Sequence, residues 1–101
     1  MKILPQPVVF EWDKGNINKN IIKHKVTIKE TEEAFVDETT IIFEDEKHSQ
    51  VEIRYALFGV TEQGRKLSII FTLRKDKIRV VTVRDMSKSE RRSYEKIKGN
   101  S

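Results

Sequence analysis

The sequence predicts an α+β fold: an antiparallel β-sheet of about four or five strands with two N-terminal helices and one C-terminal helix, in a single domain over residues 1–101. Three observations carry this. Residues 51–84 place β-branched and aromatic residues at the strand period, interrupted only by short polar turns. Two capping boxes, Thr27 with Glu30 and Ser87 with Glu90, mark the starts of helices. Ile17, Asn20, Ile21 and His24 recur at helical spacing ahead of the first box. At 101 residues the chain is large enough for one modest core and too short for two.

In chain order, Val8, Val9, Phe10 and Trp12 predict a short first strand, and the turn-prone residues 13–16, with Gly15, end it. A helix follows from Asn16, with Lys19 and Lys23 on the face beside its apolar stripe. After a break near Lys25 and Val26, the second helix begins at Ile28 and buries Ile28, Ala34 and Phe35. Residues 37–39 turn the chain into a strand over residues 40–44, and the charged stretch 44–50 reads as an exposed loop. Residues 51–60 alternate as the next strand, and residues 61–65, with Gly64, close a hairpin loop. The strand after it points Leu67, Ile69, Phe71 and Leu73 one way and Ser68, Ile70, Thr72 and Arg74 the other. A tight polar turn leads to the last strand, closed by Arg84, and the final helix runs to about Ile97, before Gly99. Tyr94 and Ile97 are its only large apolar residues, so most of its surface is expected to be wet.

Composition bounds the function classes. Charged residues make up 36% of the chain and mean hydropathy is -0.58, yet the apolar residues cluster periodically, as in a folded protein. No cysteine is present, so no disulfide or thiolate metal site can be built from this chain, which suits a reducing cytoplasm. No apolar run reaches the roughly 20 residues of a membrane span, and the early Glu11 and Asp13 argue against a secretory signal peptide. The net charge of +4 hides an asymmetry. Residues 1–64 carry 8 Lys/Arg against 12 Asp/Glu, net -4, whereas residues 65–101 carry 12 against 4, net +8. Such a basic block is the electrostatic footprint of a polyanion binder or, more blandly, a solvated surface. Arg74, Arg79 and Arg84 lie in or beside strands, where the ladder holds their backbones, and this favours binding.

Five segments carry a family resemblance: Phe10 to Asp13 (FEWD), Asn20 to His24 (NIIKH), Glu52 to Gly59 (EIRYALFG), Gly64 to Arg74 (GRKLSIIFTLR) and Ile78 to Glu95 (IRVVTVRDMSKSERRSYE). In this order and at these spacings the chain resembles the BrnT toxins of bacterial type II toxin-antitoxin systems. The resemblance implies a RelE-like fold, ribonuclease activity that blocks translation, and neutralisation by a BrnA-type antitoxin with a ribbon-helix-helix domain. It further implies that the complex binds its operator DNA mainly through the antitoxin. Two departures stand out. Lys25 occupies the place where the family usually carries glycine, which predicts a less strained or differently placed helix end. Val83 and Asp85 flank Arg84 where small residues are usual, and Asp85 is placed to pair with Arg84 or blunt its field.

RNA cleavage without a metal needs a base for the 2'-hydroxyl, an acid for the leaving oxygen and cations for the crowded phosphate charge. Arg54, Arg74 and Arg84, always protonated, are poor acids or bases but good clamps for that charge. Arg54 shares a strand face with Glu52, so a plain ion pair competes with a catalytic role. Tyr94 resembles the position from which RelE-like toxins contribute a tyrosine, as an acid or a stacking platform; as the main apolar residue of its helix it also reads as a core anchor. Lys23 is a candidate for phosphate contact or proton transfer, and Lys19, Arg65, Arg79 and Arg91 are candidate contacts to the RNA substrate. His24, on a face with Ile17 and Ile21, reads as a satisfied buried group rather than a base, and His48, near Asp45 and Glu46, lacks the ligand set of a metal site. No metal and no cofactor is expected. A non-catalytic nucleic-acid or protein-binding module on the same scaffold, a degenerate toxin or a ParE-like inhibitor, is the alternative.

Overall fold

The computed structural model describes residues 4, 8–12, 24–48 and 51–99. Its element order is β1 (Phe10–Glu11), α1 (Ile28–Val36), β2 (Ile41–Glu44), a 3-10 turn (Glu46–His48), β3 (Arg54–Val60), β4 (Lys66–Arg74), β5 (Lys77–Asp85) and α2 (Lys88–Gly99). The strands form one sheet in the order β1-β5-β4-β3-β2. The helix expected from Asn16 falls outside the described residues, leaving two helices among those described.

The capping box predicted α1, and both of its halves form. Glu30 N donates to Thr27 Oγ1 at 3.1 Å, and Thr27 N donates back to Glu30 Oε1 at 3.0 Å. Thr31, Ala34 and Phe35, at helical spacing, make the buried stripe, while Ile28 is only half-buried. Phe35 joins an aromatic chain through the core. It meets Phe10 and Phe71 edge-on, each with ring centroids 5.1 Å apart, and Phe71 stacks on Tyr55 at 5.4 Å. Trp12, stacked on Phe10, lays its ring against this core and donates its indole N–H to Glu32 at 3.1 Å. Where α1 ends, its backbone comes so close to β3 that a Cβ at Gly59 would sit 2.4 Å from the carbonyl oxygen of Ala34.

β2 to β5 pair antiparallel through the expected hairpins, and Leu67, Ile69 and Phe71 fill the core as the alternation required. β1 corrects the expectation of a purely antiparallel sheet. It adds to the open edge of β5 in parallel, with Phe10 opposite Ile78, which makes the sheet mixed. The rule that short loops give antiparallel pairing applies to hairpin neighbours only; β1 reaches β5 across most of the chain, as parallel strands require. A second correction concerns β3, which begins at Arg54 rather than at residue 51. The partner β2 ends at Glu44, opposite Tyr55, so the preceding residues lack a ladder on that side, and Val51 and Ile53 stand exposed.

The register of β5 shifts at one point: Ile70 faces Thr82 whereas Phe71 faces Val80, so Val81 is the extra residue of a bulge. The bulge decides which way the end of β5 points. Ile78 and Val80 belong to the core, and strict alternation from them would turn Thr82 and Arg84 inward as well. With one residue absorbed, Val83 is buried instead, and Thr82 and Arg84 emerge on the opposite face.

Candidate functional site

That opposite face is only partly covered. α2 packs over one end of it through Tyr94, which is fully buried against Phe58 and Met86 with Ile41 and Val60 alongside. The Tyr94 hydroxyl shares a 2.7 Å hydrogen bond with Thr39 Oγ1, which itself donates to Asp37. Beyond α2 the sheet opens into a groove of about 430 Å³ whose apolar floor includes Phe43, Ala56, Phe58, Ile70 and Val81. Arg54, Arg84, Asp45, Glu90, Ser68 and Thr82 supply its polar lining.

Arg84 and Glu90 form the best-defined polar pair there. Arg84 Nη1 donates to Glu90 Oε1 at 2.6 Å and Nη2 to Oε2 at 2.9 Å, the two-pronged geometry that makes arginine–carboxylate pairs strong. Glu90 is at the same time the third residue of α2, accepting from Ser87 N at 2.9 Å in the second capping box, and it accepts a 3.3 Å bond from Ser68. Arg84 first, and Ser87 with Ser68 beside it, pull the Glu90 pKa down from 4.5 to about 2. Its carboxylate is therefore ionised at any physiological pH. Arg84 is correspondingly held protonated by Glu90.

At the other end of the groove Arg54, Thr72 and Arg79 stand in one row across β3, β4 and β5, with Glu11 of β1 next to Arg79. Arg79 pairs with Glu11 at 3.2 Å. Arg74 reaches back from the end of β4 to Glu52 with two hydrogen bonds, 3.2 and 3.0 Å, and this pairing lowers the Glu52 pKa. Glu52 therefore partners Arg74, and the fields of Arg54 and Arg79 reach it as well.

The other predicted residues are distributed differently. Arg65, just before the central strand β4, lies where α1 meets the end of the sheet, and its five N–H groups are all used. They bind Asp85 at 2.7 and 3.1 Å, Glu30 at 3.1 Å, and the carbonyls of Lys25 at 2.9 Å and His24 at 3.1 Å. It clasps α1 to β5, its donors satisfied within the chain. Asp85 thus turns away from Arg84, whose only contact with it is to its backbone carbonyl at 3.1 Å. Arg91 lies on the exposed side of α2 near Lys88, Arg92 and Glu95, outside the groove. Lys19 and Lys23 lie outside the described residues. Asp45, Ser68, Thr82 and Glu90 are polar groove residues outside the sequence-predicted set, and Glu90 was passed over because the capping box had already accounted for it. The signal was the spacing: an arginine closing a strand, four residues before the start of a helix whose third position is a glutamate. Among the described residues no three His, Asp or Glu side chains gather as metal ligands.

The family model described as ribonuclease toxin, BrnT, of type II toxin-antitoxin system matches residues 12–90. The chain belongs to the BrnT family. The matched segment contains every residue of the groove, from Phe43 to Glu90, and stops short of Arg91 and Tyr94. BrnT proteins are ribonuclease toxins as a family, and their type II setting implies an antitoxin as partner. No curated protein matches the chain.

Proposed function

We propose that this chain is a BrnT endoribonuclease that cuts RNA without a metal, so inhibiting translation in the cytoplasm. The observation that supports this most directly is the groove: Arg54 of β3 and Arg84 of β5, the strands on either side of β4, line one cleft of about 430 Å³, within the segment matched to a ribonuclease family. In this reading the RNA backbone lies along the groove, with Arg84 at one end and the row of Arg54 and Arg79 at the other. The 2'-oxygen attacks the adjacent phosphorus as its proton leaves to a base. The bond from phosphorus to the 5'-oxygen breaks as that oxygen takes up a proton. Charge builds on the phosphate oxygens between, and arginine forks fixed in advance stabilise it. Arg74 adds positive field from the end of β4. Tyr94 serves as the anchor of α2, its hydroxyl being spent on Thr39.

The α+β arrangement is read as RelE-like. The antitoxin is read as a BrnA-type ribbon-helix-helix protein that covers the groove and carries the complex to operator DNA. A non-catalytic binding module is the second reading, favoured by one observation: Arg74 and Arg84 each already hold a carboxylate in two-pronged contact. The two are separated by incubating the purified chain with end-labelled RNA in the presence of a chelator and identifying the product ends. Attack by the 2'-oxygen leaves a 2',3'-cyclic phosphate and a 5'-hydroxyl. Ends of the reverse polarity would contradict the mechanism, and retention of intact RNA on the protein would support the binding module.

A further inference from the structure

Arg84 uses its donors unevenly. Nη1 gives one N–H to Glu90 and one to the carbonyl of Asp85, and Nη2 gives one to Glu90. The Nε–H and the second Nη2–H meet no protein acceptor among the described residues. These two lie on the same edge of the planar guanidinium, the edge that matches two oxygens of a phosphate. Glu90 holds the other edge. The carboxylate is itself fixed three ways, by the backbone of Ser87 at 2.9 Å, by Ser68 at 3.3 Å, and by its own place in the first turn of α2. An unpaired arginine at the end of a strand would sweep many rotamers; this one is tied to a helix terminus.

We propose that Glu90 is a positioning residue: it grips the outer edge of Arg84 and so presents the Nε and Nη2 donors to a phosphate oxygen pair in the groove. The capping box of α2 and the site on the sheet are then one device, in which forming the helix start aims the arginine. Glu90 does not act as the base of the reaction, since a carboxylate tied into a two-pronged arginine pair and two further hydrogen bonds has little tendency to take up a proton. The proposal rests on the ribonuclease reading of the same groove.

A double-mutant cycle with the full-length chain tests it, using Glu90→Gln, Arg84→Ala and the two together. Glutamine preserves the shape of the capping box, so the variants should fold, as circular dichroism will verify. Two readouts are taken: cleavage of a labelled RNA, and affinity for the same strand carrying 2'-methoxy groups, which cannot be cut. Glu90→Gln should lower cleavage on the order of 10-fold to 100-fold in the parent, the cost of a misplaced catalytic group, and change it by less than about twofold once Arg84 is absent. A cap that serves folding alone would show equal losses in both backgrounds and overturn the proposal. Glu90→Gln binding or cutting as well as the parent would overturn it too, making Glu90 a competitor for Arg84. If the parent binds the methylated strand through Arg84 without cutting RNA, the ribonuclease reading fails while the coupling in affinity still decides the role of Glu90. An uncut, unbound strand would overturn both.

Discussion

Lys25 shows what a single backbone angle can settle. Its φ is 55°, the left-handed region that glycine enters freely and a side chain enters at a cost of roughly 1–2 kcal/mol. Lys25 therefore stands in a strained conformation, contrary to the sequence expectation of a less strained one. The conformation is held because the carbonyl of Lys25 accepts from Arg65. Lys25→Gly should stabilise the protein by about 1 kcal/mol, read from the midpoint of urea unfolding. Tyr94 was legible only as a pair of alternatives, because a tyrosine on a short helix has the same sequence signature as anchor or as acid. Complete burial and the bond to Thr39 favour the anchor. Tyr94→Phe should cost about 1 kcal/mol of stability for the lost hydrogen bond. It should leave RNA cleavage near the parent rate, where loss of a general acid would lower it by roughly 100-fold or more.

Among the elements, those governed by local chemistry could be read in advance. α1 and α2 start where their capping boxes stand, and β4 alternates as written, because caps and strand faces depend on near neighbours. The partner of β1 and the bulge at Val81 depend on contacts distant in sequence, and nothing in the periodicity of residues 77–85 shows which valine is the extra one. The orientation of Arg84 hangs on that bulge. The start of α2 also makes a prediction about acid. Glu90 has its pKa lowered from 4.5 to about 2 in the folded chain, so the stability it contributes is complete above about pH 4.5 and is lost as pH falls toward 2. Allowing for solvent screening of a partly exposed pair, the contribution is on the order of 1 kcal/mol. The thermal midpoint of the parent should therefore fall more between these pH values than that of Glu90→Gln; parallel curves would contradict the assignment.

At the scale of the molecule, the charge asymmetry of the sequence closes up in space. Arg65 with Glu30, Arg74 with Glu52 and Arg79 with Glu11 each join a cation of the basic second part to a carboxylate of the acidic first part. The basic block is therefore partly an internal counterweight: Arg65, a candidate nucleic-acid contact by sequence, uses its donors to fasten α1 to the sheet. Exposed cations outside these three pairs include Lys88, Arg91 and Arg92 on α2 and Lys75 and Lys77 at the turn between β4 and β5. The central claim is that the groove is the ribonuclease site and Arg84 its principal cation. The most direct test is the single-turnover cleavage rate of labelled RNA by Arg84→Ala beside the parent, in chelator, with folding verified by thermal unfolding. The account predicts a loss of roughly 100-fold to 1,000-fold, as when one preorganised donor to a developing oxyanion is removed. Cleavage at the parent rate by a folded Arg84→Ala would contradict it.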